Sequence, residues 1–217
     1  MSKVQLNYLI SVSAIAAIIA SQLNIDSIFM VLKPLTTIFI IFVVVKFADA
    51  NSNYLTTLST IALIACLGGD VLLMKEQYFV YGLGSFLLAQ LMFAFIFYKL
   101  SNGKLYFKPL LIIIVVGVFS YRTFLPLLGE LAVPVAIYNI CILLMCWQGV
   151  NAYLSRRDTV GLALAIAAVL FVFSDTMIAV NKFIQPFDLS SVLILSTYWL
   201  SITIIANAVS GSFSKTN

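Results

Sequence analysis

The sequence predicts an all-α integral membrane protein: a polytopic bundle of about eight transmembrane helices that forms one domain over residues 1–217. Hydrophobic residues make up 63% of the chain and charged residues only 9%, far from the composition of soluble domains. Apolar runs of near-bilayer length recur at 6–22, 28–46, 54–74, 78–99, 108–126, 131–153, 159–180 and 189–210. The runs are continuous rather than alternating, which predicts helices and not the strands of a barrel.

Short polar turns separate these runs, as at 48–53, 101–104 and 155–158, and they leave no room for a second domain. The first run follows a single Lys and has small residues near its end. A cleaved signal peptide is therefore the alternative to a first transmembrane helix.

The distribution of Lys and Arg predicts the orientation. With eight spans, one set of loops and termini carries most of these residues, namely Lys3, Lys46, Lys99, Lys104, Lys108, Arg156, Arg157 and Lys215. The opposite set carries Lys33, Lys75, Arg122 and Lys182. The positive-inside rule therefore places both termini in the cytoplasm, and we expect the cytoplasmic (inner) membrane of a bacterium.

Composition also excludes several kinds of chemistry. The chain has no His, so it has no Ser/His/Asp triad and no HExxH zinc site, and we predict no metal and no cofactor. Its three cysteines lie in apolar runs without CxxC spacing, as buried small hydrophobes do. The basic residues form no long tract, so nucleic acid is not an expected partner.

Two aspartates, Asp70 and Asp175, lie inside apolar runs, where an ionisable side chain is costly and faces the protein interior or a water-filled cavity. Each lies about four or five residues from the non-cytoplasmic end of its run, so we expect the two at matching depth. Gly68 and Gly69 remove side-chain bulk beside Asp70. The pair predicts a carboxylate site in the membrane.

Other polar side chains fall in the same outer layer: Lys33 at the start of the second span, Tyr138, Asn139 and Tyr198 two turns into theirs, and Arg122 and Lys182 at span ends. We expect little of this kind in the inner half. Each residue also has a structural explanation, since lysine and arginine reach toward interfaces and tyrosine belongs to aromatic belts. Ser174 can hydrogen-bond within the site or to its own helix.

Several short motifs occur in a fixed order along the chain. They are Lys33-Pro34-Leu35, Gly69-Asp70-Val71-Leu72-Leu73, Phe79 with Gly82, Ser85-Phe86-Leu87-Leu88-Ala89, Phe171 with Ser174-Asp175, and Thr197-Tyr198-Trp199-Leu200. In their order and spacing the chain resembles the YhhN-like lysoplasmalogenase family of multi-pass membrane hydrolases. It departs from that pattern at Gln90, where the family often has His, and at Ser201-Ile202, where we expect Ala-Gln.

The resemblance implies hydrolysis of the vinyl-ether bond of lysoplasmalogens, which releases a fatty aldehyde and glycerophosphoethanolamine or glycerophosphocholine. Such hydrolysis needs a general acid and a second carboxylate, as in glycosidases. We expect Asp70 and Asp175 to fill these roles and to share one proton, with the assignment of acid and base open. The other expected partners are a lysophospholipid substrate and membrane lipids.

The same likeness assigns the remaining candidates to substrate binding. Lys33, with Lys182 or Arg122, would hold the lipid phosphate. Tyr138, Asn139 and Tyr198 would orient the glycerol or the water, and Ser174 and Gln90 complete the set.

Two other classes of function fit the same residues. A proton-coupled transporter of small solutes or lipids would use the intramembrane carboxylates along its pathway. A non-catalytic assembly or lipid-binding protein would bind a lipid without consuming it.

Overall fold

The computed structural model describes residues 1–47 and 53–212. They form eight long α-helices: α1 Lys3–Gln22, α2 Asp26–Phe47, α3 Asn53–Leu72, α4 Phe79–Leu100, α5 Phe107–Leu128, α6 Ala132–Arg156, α7 Thr159–Ala179 and α8 Ser190–Ser212. A 3-10 turn, Glu76–Tyr78, precedes α4, and a π-helical turn, Val180–Ile184, extends α7. The all-α membrane class is confirmed. Most of the predicted turn at 48–53, and Lys215, lie outside the described residues.

The count of spans depends on how the stretch Phe107–Arg156 is divided. Seven continuous helical stretches are long and apolar enough to cross a membrane, and this one has 50 residues. As one straight helix it would measure about 75 Å, far more than the roughly 30 Å of a bilayer core. The chain instead reverses at the 3-10 turn Gly129–Leu131, where Gly129 has a φ of 51°. The stretch therefore contains two crossings, α5 and α6, in agreement with the predicted eight.

Six of the helices close into a ring, because α2 packs on α3, α3 on α4, α4 on α6, α6 on α7, α7 on α8, and α8 again on α2. The other two helices lie outside it: α1 packs against α2 and α8, and α5 packs mainly against α6. The ring therefore brings side chains from distant parts of the sequence into one interior.

The first and last helices meet along their length. Near the chain ends, Lys3 Nζ donates to Ser210 Oγ at 2.8 Å, and the Asn7 and Asn207 side-chain amides exchange two hydrogen bonds of 3.0 Å. The two ends of the described chain therefore lie on the same side of the bundle. The cytoplasmic location of that side remains a prediction.

Aromatic rings fill the interior next to the predicted carboxylate site. The rings of Phe86, Phe171 and Tyr198 contact one another edge to face, with centroids 5.6 to 6.3 Å apart. Gly69 makes this cluster possible, since a Cβ there would lie 2.6 Å from Cδ2 of Phe86. The Gly69 backbone and the Phe86 ring thus pack in direct contact, one residue from Asp70.

The opposite end of the bundle, where we expected little of this kind, contains buried polar side chains. Gln148 and Asn151 are buried there, and Asn151 Oδ1 accepts a hydrogen bond from the backbone N–H of Tyr106 at 3.0 Å. The Trp147 indole donates to the Tyr106 carbonyl at 2.8 Å. These two hydrogen bonds pair the backbone N–H and C=O groups of the residue that precedes α5. The side chains are uncharged, and the only fully buried charged residues in the described part of the chain are Lys33 and Asp70.

Asp158 begins α7 at this same end as its N-cap. Its side chain accepts the backbone N–H of Gly161 at 2.7 Å and pairs with Arg156 at 2.8 Å. The hydrogen bonds from Arg156 hold the pKa of Asp158 below its ordinary value.

Gly69→Ala tests the contact between α3 and α4. The added methyl group must displace the Phe86 ring, and overpacking of this kind costs about 1–3 kcal/mol. We expect a lower melting temperature in detergent. Gly84→Ala is the matched control. Gly84 lies on α4 beside open space, so this variant should leave the melting temperature unchanged or raise it. Equal behaviour of the two variants would contradict the packing.

Candidate active site

Asp70 lies in the interior with 1% of its surface exposed, two residues before the end of α3. Its Oδ2 accepts hydrogen bonds from Thr37 Oγ1 of α2 at 2.5 Å and from the Tyr198 hydroxyl of α8 at 3.0 Å. The Trp199 indole in turn donates to Thr37 Oγ1 at 3.3 Å. Three helices therefore meet at this one carboxyl oxygen.

Asp175 receives a separate set of donors. Its Oδ2 accepts the Tyr138 hydroxyl of α6 at 2.5 Å and the Gln90 amide Nε2 of α4 at 3.1 Å. Its Oδ1 accepts no hydrogen bond from the described residues. This oxygen is not among the fully buried atoms that lack a partner, so it remains accessible. One oxygen of Asp175 is thus fixed by the protein, and the other is left to face a cavity.

The two carboxyls do not hydrogen-bond to each other in the described part of the chain. The Cys66 thiol lies within electrostatic range of both, and Phe86 lies between their helices, against Gly69 of α3 and Phe171 of α7. The positions of the two aspartates along their helices differ from the expected match. Asp70 lies two residues before the end of α3, whereas Asp175 lies four residues before the end of α7, which continues as the π-helical turn to Ile184.

Lys33 lies eight residues into α2 and not at its start, as expected, because α2 begins at Asp26. The side chain is 9% exposed and makes no hydrogen bond in the described part of the structure. Its ammonium lies 5.9 Å from the centroid of the Phe29 ring and within electrostatic range of Asp70. A nearly buried cation without a hydrogen-bond acceptor is costly unless an anion joins it.

Lys33 lines a wide cavity, which we call the vestibule, of about 1270 Å³ including its open mouth. Two further lysines, Lys75 and Lys182, line it together with one acid, Glu76. Lys182 Nζ pairs with Glu76 at 3.1 Å and lies 4.4 Å above the ring of Phe79. Three lysines against one glutamate make the vestibule cationic. It is also lined by Ser21, Asn181 and Ser191.

A smaller inner cavity adjoins the vestibule, and Leu73, Phe79 and Ile178 line both. The inner cavity contains Asp175 and Tyr138 in its wall. The rings of Phe79 and Phe183 contact edge to face at 6.1 Å beside this junction. The route from the cationic mouth to the Asp175 carboxyl therefore passes a narrow apolar partition.

A third space, the lateral cavity, lies between α5, α6 and α7. Asp175 and Tyr138 also line it, so these two side chains stand at the junction of the inner and lateral cavities. Asp70 lines none of the three. Of the two aspartates, Asp175 is thus the one in contact with accessible space.

The structure brings together most of the predicted site residues and places three of them elsewhere. Ser174 Oγ is buried and donates to the Ile194 carbonyl of α8 at 3.0 Å. Asn139 Nδ2 donates to the Gly117 carbonyl of α5 at 3.2 Å and lines the lateral cavity. Arg122 is exposed on α5 and lines none of the three cavities. Lys33 and Lys182 both line the vestibule.

Comparison with known proteins identifies the family. The model of the YhhN family matches residues 28–209, most of the chain. The chain belongs to the YhhN family. The lysoplasmalogenase TMEM86B of Sus scrofa is 28% identical over 173 residues, 78% of this chain and 70% of the relative. No solved structure matches.

Two further relatives of this YhhN family member are matched over a smaller part of their own length. The lysoplasmalogenase TMEM86B of Homo sapiens is 31% identical over 146 residues, 66% of this chain and 59% of the relative. The lysoplasmalogenase TMEM86A of Bos taurus is 29% identical over 147 residues, 65% of this chain and 60% of the relative. The chain thus spans about three fifths of these two proteins.

Sequence reasoning about this YhhN family chain missed Thr37, Glu76 and Phe79 as site residues. Thr37 is an uncharged residue in an apolar helix, and threonine there commonly bonds its own backbone, as Thr36 does to the Leu32 carbonyl. Glu76 lies in a loop like other solvated charges. The available signal was the acid that directly follows Lys75, between two apolar runs.

The hydrogen bonds of Thr37 should stabilise the fold more than the Glu76–Lys182 ion pair does. Thr37→Val leaves the Trp199 indole without a hydrogen-bond partner and removes one of the two donors to Asp70, which costs about 1–3 kcal/mol. Glu76 is 89% exposed, and exposed pairs contribute at most about 1 kcal/mol. We expect Thr37→Val to lower the melting temperature in detergent and Glu76→Gln to leave it close to that of the unaltered protein. The reverse order would contradict this arrangement of the site.

Proposed function

We propose that this protein is a membrane-embedded lysoplasmalogenase, an ether hydrolase that cleaves the vinyl-ether bond of a lysoplasmalogen. The fatty aldehyde and glycerophosphoethanolamine or glycerophosphocholine are its products. One observation carries the proposal: a cationic vestibule with an unpaired, nearly buried Lys33 leads past an apolar partition to the Asp175 carboxyl. The names of its relatives, lysoplasmalogenases, support the same reaction.

The vestibule fits the phosphate of the substrate headgroup. Lys33 lies within electrostatic range of Asp70 but has no hydrogen-bond acceptor among the described residues, so its ammonium is available to donate to a phosphate oxygen. Lys75 and Lys182 add positive charge at the mouth. Glu76 beside them offers a carboxylate to the ammonium of an ethanolamine or choline headgroup. With the phosphate held there, the glycerol reaches through the partition toward Asp175.

Asp175 is placed to transfer the proton. Protonated at Oδ1, it gives that proton to the β-carbon of the vinyl ether, and the double bond becomes an oxocarbenium ion. Water adds to the α-carbon and returns a proton to the carboxylate, which leaves a hemiacetal. The hemiacetal collapses as its hydroxyl proton passes to the glycerol oxygen and the C–O bond breaks. One water is consumed, and an aldehyde and an alcohol are formed.

Tyr138 and Gln90 hold Asp175 in place for these steps. Both donate to Oδ2, which keeps that oxygen an acceptor and directs Oδ1 into the cavity. Gln90 is fully buried, and its Oε1 accepts no hydrogen bond from the described residues. In the proposed reaction Gln90 is therefore a positioning residue for Asp175, although the family often has His there.

Asp70 is the second carboxylate in the proposal, and it lies next to the aromatic cluster of Phe86, Phe171 and Tyr198. It lines no cavity, so its contribution to the oxocarbenium ion is the field of its charge and the orientation of Tyr198, whose hydroxyl it accepts. This arrangement keeps the predicted acid and carboxylate roles and assigns the acid to Asp175.

Asp175→Asn and Asp70→Asn should each abolish aldehyde release, because asparagine can neither donate the proton nor carry the negative charge. The measurement is mass spectrometry of a lysoplasmalogen after incubation with detergent-purified protein, together with size-exclusion recovery of each variant. Asp188→Asn, an exposed loop substitution, is the control and should retain full activity. Added chelator should have no effect.

Product in detergent micelles also separates hydrolysis from the rival functions. A transporter or a lipid-binding protein releases no aldehyde in micelles, where transport is impossible. Full activity of Asp175→Asn would remove the mechanism, and no aldehyde from the unaltered protein with any lysoplasmalogen would remove the proposed function.

Lys33→Met should weaken substrate binding more than it slows the chemical step. Loss of one hydrogen bond to a charged group costs about 1.5–3 kcal/mol, so KM should rise about tenfold or more, while kcat changes less. Lys99→Met, at the other end of the bundle on α4, is the matched control. A fall in kcat at unchanged KM for Lys33→Met would place the phosphate elsewhere.

A further inference from the structure

The lateral cavity between α5, α6 and α7 has no part in the steps above, although Asp175 and Tyr138 lie in its wall. It encloses about 590 Å³, including its opening. We propose that this cavity binds the hydrocarbon chain of the lysophospholipid substrate and sets the chain length that is accepted. The inference rests on the proposed function, and it adds a subsite that neither the headgroup nor the reaction requires.

The position of the cavity relative to Asp175 is the first argument. The vestibule adjoins the inner cavity, and the inner cavity shares Val135, Tyr138, Asp175 and Ala179 with the lateral cavity. A molecule with its phosphate at Lys33 and its reacting bond at Asp175 continues into the lateral cavity. A lysoplasmalogen has this order of parts, because its vinyl-ether bond lies between the phosphoglycerol and the chain.

The direction of the cavity is the second argument. Its wall on α6 runs from Val135 to Leu143, which is about 12 Å at 1.5 Å per residue. This direction leads from the vestibule end of the bundle toward its middle. A chain in the cavity would therefore lie as the chain of a lysolipid lies in the adjacent leaflet, with its headgroup at the surface and its tail toward the midplane.

The chemistry of the wall is the third argument. Aliphatic and aromatic side chains dominate it, among them Phe124, Ile142, Leu143 and Val172. Its polar members are largely satisfied within the protein, as Thr176 Oγ1 donates to the Val172 carbonyl at 2.8 Å and the Tyr121 hydroxyl to the Ala132 carbonyl at 3.1 Å. Such a wall suits an alkyl chain, which makes no hydrogen bonds.

The packing of α5 offers a path of entry from the bilayer. This helix lies outside the six-helix ring and packs mainly on α6. Val116 lines the cavity and is 57% exposed, so the cavity reaches the lipid-facing surface there. Gly117 permits the close approach of α5 to α6, since a Cβ at that position would lie 3.1 Å from Cγ of Leu143. A chain can therefore enter sideways without leaving hydrocarbon surroundings.

Two opposite substitutions test the subsite by hydrolysis. Ser120→Phe places a ring in the cavity and should lower kcat/KM for a long-chain lysoplasmalogen about tenfold relative to a short-chain analogue. Leu143→Ala extends the cavity and should shift the preference toward the longer chain. Val118→Phe, on the same helix but 56% exposed and outside the cavity wall, is the matched control and should leave the ratio unchanged.

A second measurement does not depend on hydrolysis. A lysophospholipid with a diazirine at its chain end should, on illumination, label peptides of α5, α6 or α7 that line the cavity, with loss of label in Ser120→Phe and retention in Val118→Phe. Excess unlabelled lysophospholipid should compete, and diacyl phospholipid should not. Labelling elsewhere, competition by diacyl phospholipid, or unchanged chain preference in both Ser120→Phe and Leu143→Ala would overturn the subsite. Labelling of the cavity without any aldehyde would retain the subsite and overturn the proposed function.

Discussion

A carboxyl group in the hydrocarbon core must obtain its hydrogen-bond donors from the protein, because lipid offers none. Asp70 obtains them from Thr37 on α2 and Tyr198 on α8, and Asp175 from Tyr138 on α6 and Gln90 on α4. Besides α7, which carries Asp175, five helices contribute either Asp70 or one of these donors: α2, α3, α4, α6 and α8. The demand of two buried acids for donors thus coincides with the closed ring of α2, α3, α4, α6, α7 and α8.

The two aspartates differ in their surroundings. Asp70 is 1% exposed and lines none of the three cavities, whereas Asp175 lines both the inner and the lateral cavity. A charge that must stay fixed and a group that must exchange protons need different surroundings. The proposed reaction uses one proton donor and one stabilising carboxylate, and this asymmetry is the reason that the proposal gives the acid role to Asp175.

The cavities follow the polarity of an amphiphile. The charged vestibule lies at one end, Asp175 lies between the apolar inner and lateral cavities, and the lateral cavity continues among aliphatic side chains. The flanking helices contribute to this gradient in different ways. α7 carries Asp175 and continues as the π-helical turn that presents Lys182 to the vestibule, while the peripheral α5 closes only the apolar part.

Prediction from the sequence succeeded where the physics is one-dimensional. The length of each apolar run predicted the bounds of the helices to within a few residues, since the bilayer sets that length. The cost of ionisable groups in lipid predicted that Asp70, Asp175 and Lys33 point into the protein. Depth counted from predicted helix ends was less successful: α3 ends at Leu72, earlier than expected, and Lys33 lies two turns inside α2. The counts failed because turns and caps, which decide where a helix ends, carry a weaker signal than hydropathy does.

The direction of each side chain around its helix belongs to the tertiary structure alone. Nothing in the sequence distinguishes Tyr138, which reaches Asp175, from Ser174, which turns away to the Ile194 carbonyl, because both are polar residues near the same end of the bundle. The sequence by itself determined the class of protein, its helices and its costly charges, since hydropathy and desolvation act residue by residue. Only packing decided which donors meet each carboxyl and which carboxyl faces a cavity, because those contacts join different helices, with partners from 33 to 128 positions apart in the chain.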